Sequence, residues 1–545
     1  MSAARFERFA ASALGLLLLF AALARGAHDL WAAAAVQVAV LALALAVLLR
    51  RCWPADAPGL RTALLLPSAC AAAAFTASFR GSVNPGESWM SWTAGLSALL
   101  VLLCAGETMA SDDAPDALLR IVAPLFLIEL ALLLGQRCRA DSFILDEAPG
   151  TMVNSNVLAA FVLPWIPPLA ARAARAWEER GARVFWTFIA AAAVLDLLLT
   201  SSTWAMVILA LGLPFLSGPR RLKGLLSSRK RRAAGGALCV LVVGLLVWKF
   251  AFRQGWAGDP AAPVERLSWW ASAWRMFLER PWTGVGLGNF GSAYLAYKAP
   301  GAQNTLFAHS APFGLLAEAG LAGAVGVLFL LGAWGRLVLR VPEALERRWP
   351  WALGAVLLLS FSLADLSVEY FAVLLLLAVF LGAAVSSAPS ARLRPRRAAT
   401  AVLAAAALSA VPALLAPLLA SRIAVAAEAR LTEGDVEGAL RGFASAVAAD
   451  PRAFESRQGW ARALHARFLS SRDPRDIEEA VRRQREAVER NRLCGRCWAE
   501  FGAYLQSAGR REEALAAWQR AVALNAPGAE PRARVVLLSH RPPGY

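Results

Sequence analysis

Residues 31–49 read WAAAAVQVAVLALALAVLL, with no charge among them, and Arg50 and Arg51 follow at once. A helix that crosses a bilayer needs roughly 20 apolar residues, because each residue rises only about 1.5 Å through the hydrocarbon core. Charged side chains are costly in that core and collect at its edges. The stretch therefore predicts a membrane span with a basic boundary. Similar stretches stand at 9–25, 62–80, 89–106, 117–135, 155–171, 184–200, 203–217, 234–252, 311–332, 350–365, 367–385 and 400–420. They predict a polytopic, all-α bundle of about 12–13 spans. The first has Arg5 and Arg8 before it and no small-residue cleavage site, which reads as an uncleaved anchor.

Composition points the same way. Of 545 residues, 58 % are apolar and 17 % charged, against about 25 % charged in soluble domains. One soluble core does not need so much apolar side chain, and apolar blocks of this length exclude a disordered chain. The net charge of +17 could suggest nucleic acid. Its distribution argues otherwise, since much of the excess lies in short runs between apolar blocks, as at 220–232 and 392–397. That is how cytoplasmic loops look under the positive-inside rule. With the N-terminus inside, the even-numbered junctions are basic, except 107–116 with Glu107, Asp112, Asp113 and Asp116. Loops 136–154 and 253–310, and everything after 420, are then expected outside the cytoplasm.

At about residue 421 the apolar blocks give way to amphipathic helical patterns. Ala439-Leu440, Ala480-Val481 and Ala514-Leu515 recur, and the last unit carries Trp498, Gly502, Tyr504, Gly509, Trp518 and Ala521. This resembles the tetratricopeptide repeat, whose stacked helix pairs bind peptides or proteins on a concave face. A plain helical cap is the alternative. The expected division is 1–420 membrane domain and 421–545 soluble repeat domain. Seven cysteines imply no dense disulfide framework. The Cys494-Gly-Arg-Cys497 pair could close as a disulfide in an oxidising compartment, and two thiols alone make a poor zinc site.

Loop 253–310 is the longest connection between spans on the outer side. Within it, RLSWWASAWRMFLE (266–279) places Leu267, Trp270, Trp274, Phe277 and Leu278 on one helical face, as in a helix lying on the bilayer surface. Its tryptophans could stack on sugar rings or form an interfacial belt. Next comes RPWTGVGLGNFG (280–291), a literal G-x-G-x-x-G. A dinucleotide site is excluded, because no strand precedes it and no βαβ unit surrounds it. Its glycines either let backbone N–H groups approach an anion or permit sharp bends. His309 stands at the mouth of the next span, with Glu318, Gly320 and Gly323 beyond it. Histidine exchanges a proton near neutral pH, although a lone histidine is more often structural.

RPWTGVGLGNF (280–290) followed by AHSAPFGLLAEAGLAG (308–323) resembles the core of the O-antigen ligase / O-antigen polymerase superfamily. GTMVNSNVLAAFVLP (150–164) resembles that family's Asn-containing segment, at Asn154 and Asn156. The likeness runs over about 150–385, and members often carry tetratricopeptide tails. It implies a GT-C-like membrane glycosyltransferase moving a glycan from an undecaprenyl-diphosphate carrier to a glycolipid, glycan or protein acceptor. The work is done on the periplasmic face of a bacterial inner membrane, with no cofactor and no metal. It implies catalytic roles for His309 and for an arginine at the position of Arg275. Arg280, Gly284, Gly286, Gly288, Glu318, Asn154 and Asn156 become candidate substrate contacts, with Arg266 a further cation. A guanidinium grips diphosphate oxygens with a planar fork of donors. Asp365 and Glu369 either help bind an acceptor or are ordinary loop residues.

The chain departs from the family in two places. Thr203 stands where a second arginine is usual, and Ser310 replaces an asparagine. Arg137 or Arg139, from loop 136–154, is the expected substitute cation. Ligase and polymerase differ only in acceptor, which nothing here reads. The non-enzymatic alternative is a membrane-anchored repeat scaffold for envelope polysaccharide assembly.

Overall fold

The computed structural model describes residues 2–525 apart from 55, 140–147, 177, 219–261, 300, 341 and 366, together with 534 and 535. The expected span at 234–252, the basic cluster at 220–232 and the start of loop 253–310 lie outside the described residues. Among those described, the fold is all-α, with one two-residue ribbon pairing Leu60–Arg61 antiparallel with Arg392–Leu393.

Among the described residues, eight helices are long and apolar enough to cross a membrane: Ala3–Leu23, Leu30–Cys52, Pro85–Thr108, Asp113–Arg137, Ser155–Arg175, Arg180–Leu199, Ala311–Arg340 and Arg397–Thr432. Thr203–Leu216 and Phe371–Val385 are shorter apolar helices. The chain is thus a polytopic membrane bundle. Its sides keep large apolar groups exposed, among them Phe9, Leu16, Val184, Phe188, Leu328 and Leu408, which a bilayer solvates and water does not.

Several elements differ from the sequence expectation. The stretch 62–80 forms only Leu65–Ala77 before a 3-10 turn over Ser78–Gly81. Gly81 packs onto the backbone of Gly284, leaving no room there for a Cβ. Ser155–Arg175 is broken by a 3-10 turn at Leu163–Trp165, where Pro164, Pro167 and Pro168 remove backbone donors. The span expected at 311–332 runs on to Arg340 and kinks at Gly320, whose φ is +61°. The expected boundary at 420/421 falls inside one unbroken helix, Arg397–Thr432.

The acidic junction 107–116, the exception to the charge pattern, finds its partners in the fold. Glu107 meets Arg51 at 3.3 Å, Asp113 meets Arg8 at 3.9 Å, Asp116 meets Arg172 at 2.9 Å and Asp112 meets Arg347 at 3.6 Å. The described even-numbered junctions therefore share one end of the bundle, here the basic end. The opposite end gathers 24–29, 78–84, 148–154, 199–202, 262–310 and 362–370. His28 packs on Tyr370, and Gly26 lies against Met152.

Beyond Thr432, among the described residues, five further helices follow: Val436–Ala449, Phe454–Ser471, Pro474–Arg490, Gly495–Ser507 and Arg511–Ala523. Small residues set their spacing. Gly459 lies under the Phe443 ring and Gly502 under Trp518. The tail is not a detached arm. Arg452 stacks over the Trp89 ring at 4.0 Å, Asn525 Nδ2 donates to Leu295 O at 2.8 Å, and Leu493 packs into a cluster with Val83, Met276, Val285 and Phe290.

Candidate functional site

The surface helix Ala262–Glu279 divides its residues cleanly. Ser272, Ala273 and Met276 are buried, while Leu267, Trp274 and Leu278 are exposed. An apolar stripe turned outward at a membrane surface is what a helix lying in the interface presents. The inward side carries Arg266, Trp269 and Trp270. Trp270 stacks on Phe313 at 5.4 Å, and Trp269 stacks on His309 at 4.5 Å with 27° between the rings.

The glycine turn behind this helix is held from one point. Glu318 Oε2 accepts the Gly288 N–H at 2.9 Å and Oε1 accepts the Phe290 N–H at 3.0 Å. The Gly286 N–H goes to Glu318 O at 2.9 Å and the Val285 N–H to Ala317 O at 2.8 Å. Internal acceptors, the Glu318 carboxylate for Gly288 and the Glu318 backbone carbonyl for Gly286, thus occupy the amides that the sequence offered to a substrate anion, which differs from the expectation for Gly286, Gly288 and Glu318. Gly284 has φ +63° and touches the Glu318 backbone, where no side chain fits. Gly320 meets Trp282 C at 2.6 Å from where its Cβ would stand, so turn and kink interlock. Leu321 N–H donates to Pro281 O at 2.7 Å and fastens the pair. Asn289, fully buried, donates to Ser82, Ser88 and Val285.

This clamp fixes the start of the Ala311–Arg340 helix and the two residues before it. His309 has φ +53°, in the left-handed region that non-glycine residues seldom enter. Ser310 Oγ donates to Leu363 O at 2.7 Å, and the Ala311 N–H donates to Ser362 O at 2.8 Å. Those bonds bring in the 362–370 loop. His309 Nδ1 lies 3.6 Å from Asp365 Oδ1, and Arg266 Nη2 lies 3.0 Å from Asp365 Oδ2. Asp365 is buried, whereas His309 and Arg266 keep part of their side chains open. Glu369 sits in the same loop, with its Oε2 accepting the Ser367 N–H at 2.8 Å. Burial pushes its carboxyl up from the usual range, and the nearby Asp365 adds to that; the Ser367 hydrogen bond and the His309 charge oppose it.

Arg275 does not join this group. It lies nine residues beyond Arg266, which puts it about 180° around the helix, and it is exposed. Among the described arginines of this helix, Arg266 is the one that reaches Asp365, the carboxylate beside His309. Arg280 turns away as well, donating to Gly81 O at 2.5 Å. Arg137 is buried with its guanidinium on Leu199 O and Ser201 Oγ, beside the corner that carries Thr203. That corner reaches the site loop through Trp204, whose Nε1 donates to Phe361 O at 3.1 Å. Arg139 is exposed and donates to Gly135 O at 3.0 Å. Asn154 caps the Ser155–Val162 helix by accepting the Asn156 N–H at 2.7 Å, so it shapes local backbone.

In the sequence Arg266 ranks behind Arg275, and Asp365 reads as either an acceptor contact or an ordinary loop residue. Helical periodicity alone could have set the two arginines on opposite faces. The contact between Asp365 and His309 had no sequence signal, since 56 residues and two helices separate them. Among the described residues no group of His, Cys, Asp or Glu is arranged to hold a metal.

The O-antigen ligase family model matches residues 186–328. No curated protein matches the chain. Among solved structures, the first tetratricopeptide domain of Spaghetti (RPAP3) bound to an HSP90 peptide is similar at 18 % identity, over 22 % of this chain and 91 % of that one, with a TM-score of 0.20. A score that low carries no argument about the tail. The matched segment holds the Gly-rich turn, Arg266 and His309, and over it this chain is similar to the O-antigen ligase family.

Proposed function

We propose that the protein is a glycosyltransferase that moves a glycan from an undecaprenyl-diphosphate carrier to an acceptor on the periplasmic face of a bacterial inner membrane. The observation that carries this reading is the His309–Asp365–Arg266 group at the membrane surface, two of whose members, Arg266 and His309, lie inside the matched segment. Asp365 faces His309 Nδ1 across 3.6 Å, close enough to stabilise a charged imidazole, and Nε2 is the atom that would take a proton. The acceptor hydroxyl attacks the anomeric carbon, its proton passes to His309 Nε2, and the bond from that carbon to the diphosphate oxygen breaks. The leaving carrier diphosphate keeps the electron pair. Arg266 holds Asp365 with one nitrogen and offers the others to phosphate oxygens, where negative charge grows. No metal or nucleotide is needed, because the diphosphate is already activated and the cation is supplied by the chain. The Trp269 ring stacked on His309 keeps the imidazole in place.

The tail, read as a periplasmic tetratricopeptide-like unit of about 421–545, sits against the loop that carries the site and is available to a protein partner. A polymerase of the same superfamily would use the same donor chemistry with a carrier-linked acceptor. A non-catalytic scaffold remains a second reading, favoured by the uncharged Thr203 where relatives hold an arginine.

Replacing His309 with Ala in the native host, followed by profiling of surface glycan at matched protein level, separates these. Lost transfer supports the enzyme, and an unchanged profile supports the scaffold. Short glycan units would mark a polymerase defect, and full-length unattached polymer a ligase defect.

A further inference from the structure

We infer that a cavity at the basic end of the bundle, walled by leucines and edged by the arginines of the Leu60–Arg61/Arg392–Leu393 ribbon, binds one anionic phospholipid. The cavity has a volume of about 280 Å³. Leu41, Leu45, Leu48, Leu103, Leu337 and Leu403 line it, drawn from four different helices. Arg61 and Glu107 are its charged lining residues. Away from those two, the leucine-lined part of the space gives water almost no partners and stays dry. At membrane depth the solvent at hand is hydrocarbon, and an acyl chain fills it without desolvation cost. Leu403 both lines the cavity and stands exposed on the flank of the Arg397–Thr432 helix, so the wall reaches the lipid-facing surface.

The charges at the rim select the headgroup. Arg51 meets Glu7 at 3.1 Å and Glu107 at 3.3 Å, and Arg392 meets Glu107 at 3.7 Å. The Arg61 guanidinium donates to the carbonyl of Ala388, and its backbone N–H to Glu107. Arg51, Arg61 and Arg392 thus share two carboxylates, those of Glu7 and Glu107. The neighbouring Arg394 and Arg397 donate to the carbonyls of Pro54 and Trp53, which carry no net charge. The rim therefore holds surplus positive charge around Glu107, and a phosphodiester neutralises it. The glycan carrier does not fit this place, because its reacting phosphate belongs beside His309, at the other end of the bundle. A phospholipid here would wedge the Leu30–Cys52, Pro85–Thr108 and Arg397–Thr432 helices together, the last of which leads into the tail.

The test uses full-length protein in nanodiscs of equal dioleoyl phosphatidylglycerol and dioleoyl phosphatidylcholine, released and weighed by native mass spectrometry. The expected result is one retained phosphatidylglycerol per chain, favoured about fivefold over phosphatidylcholine, the ratio one surplus arginine contributes at a membrane surface. Leu45→Trp with Leu103→Trp fills the cavity and should abolish retention. Arg392→Gln, at an exposed position that does not threaten folding, should bring the two lipids toward equal retention. Absence of retained lipid in the unmodified protein, equal retention of both lipids, or undiminished retention in the filled variant overturns the proposal. Recovery of a polyprenyl phosphate in place of the phospholipid also overturns it. None of these readouts depends on glycan transfer, so this inference and the proposed function fail separately.

Discussion

Glu318 accepts the backbone N–H of Gly288 from 30 residues away, at 2.9 Å, and with its other oxygen holds Phe290. A carboxylate among apolar spans is costly unless its oxygens are satisfied, and here two amides of the glycine turn do so. The relationship makes Glu318 a structural clamp on the loop that leads to His309.

Glu318→Ala should therefore destabilise the protein by about 3 kcal/mol, the loss of two hydrogen bonds to a charged group in a buried place. Glu318→Gln keeps one acceptor and should lose roughly half of that. Thermal unfolding in detergent reads both. Equal stability of all three proteins would remove the clamp.

Arg266→Ala should lower glycan transfer by about 10²–10³-fold, as when one positioned donor to a developing anion is removed. Arg275→Ala, on the opposite face, should leave it within about threefold, since surface changes away from a site shift free energies by only about 0.5 kcal/mol. Transfer in membranes at matched protein level is the measurement. The reverse ranking would restore the arginine that the family resemblance favoured.

Glu369 gives a pH signature. Its carboxyl is raised by burial, so the folded state holds the proton more tightly than the unfolded chain does. That contribution to stability is fully present below the unfolded value, 4.5, and is lost as pH rises through the raised folded value. Melting temperature should fall across that window in the unmodified protein. Glu369→Gln cannot ionise and should fall less. Parallel melting profiles for the two proteins would refute the argument.

Cys494 and Cys497 are joined by a disulfide in the turn that opens the Gly495–Ser507 helix. The next residue back, Leu493, packs into the cluster around Val285 and Phe290. Replacing both cysteines with serine removes a short-loop crosslink worth about 2 kcal/mol on chain-entropy grounds. Limited proteolysis should then cut the tail near 491–497 several-fold faster. Leu493→Ala, with the disulfide intact, should weaken tail docking without that cut. An unchanged cleavage rate in the serine protein would show that the crosslink does not hold the turn.

What the sequence determined by itself is the membrane bundle and its sidedness of charge. Apolar runs near 20 residues and arginines at alternate junctions are local signals, set by the cost of charge in hydrocarbon. His309 and the glycine turn were legible through a contiguous motif. The rest depended on partners far apart in the chain. The acidic junction at 107–116 broke the charge rule in sequence and is neutralised in the fold by Arg8, Arg51, Arg172 and Arg347. Arg266 rather than Arg275 faces His309 because the apolar side of the surface helix turns outward and rotates the second arginine with it. Asp365 is brought to His309 with the help of the hydrogen bonds from Ser310 and Ala311 to the 362–363 corner. Spacing along a chain records which residues share a helix face; which faces meet is decided by packing between helices, and that information exists only in three dimensions.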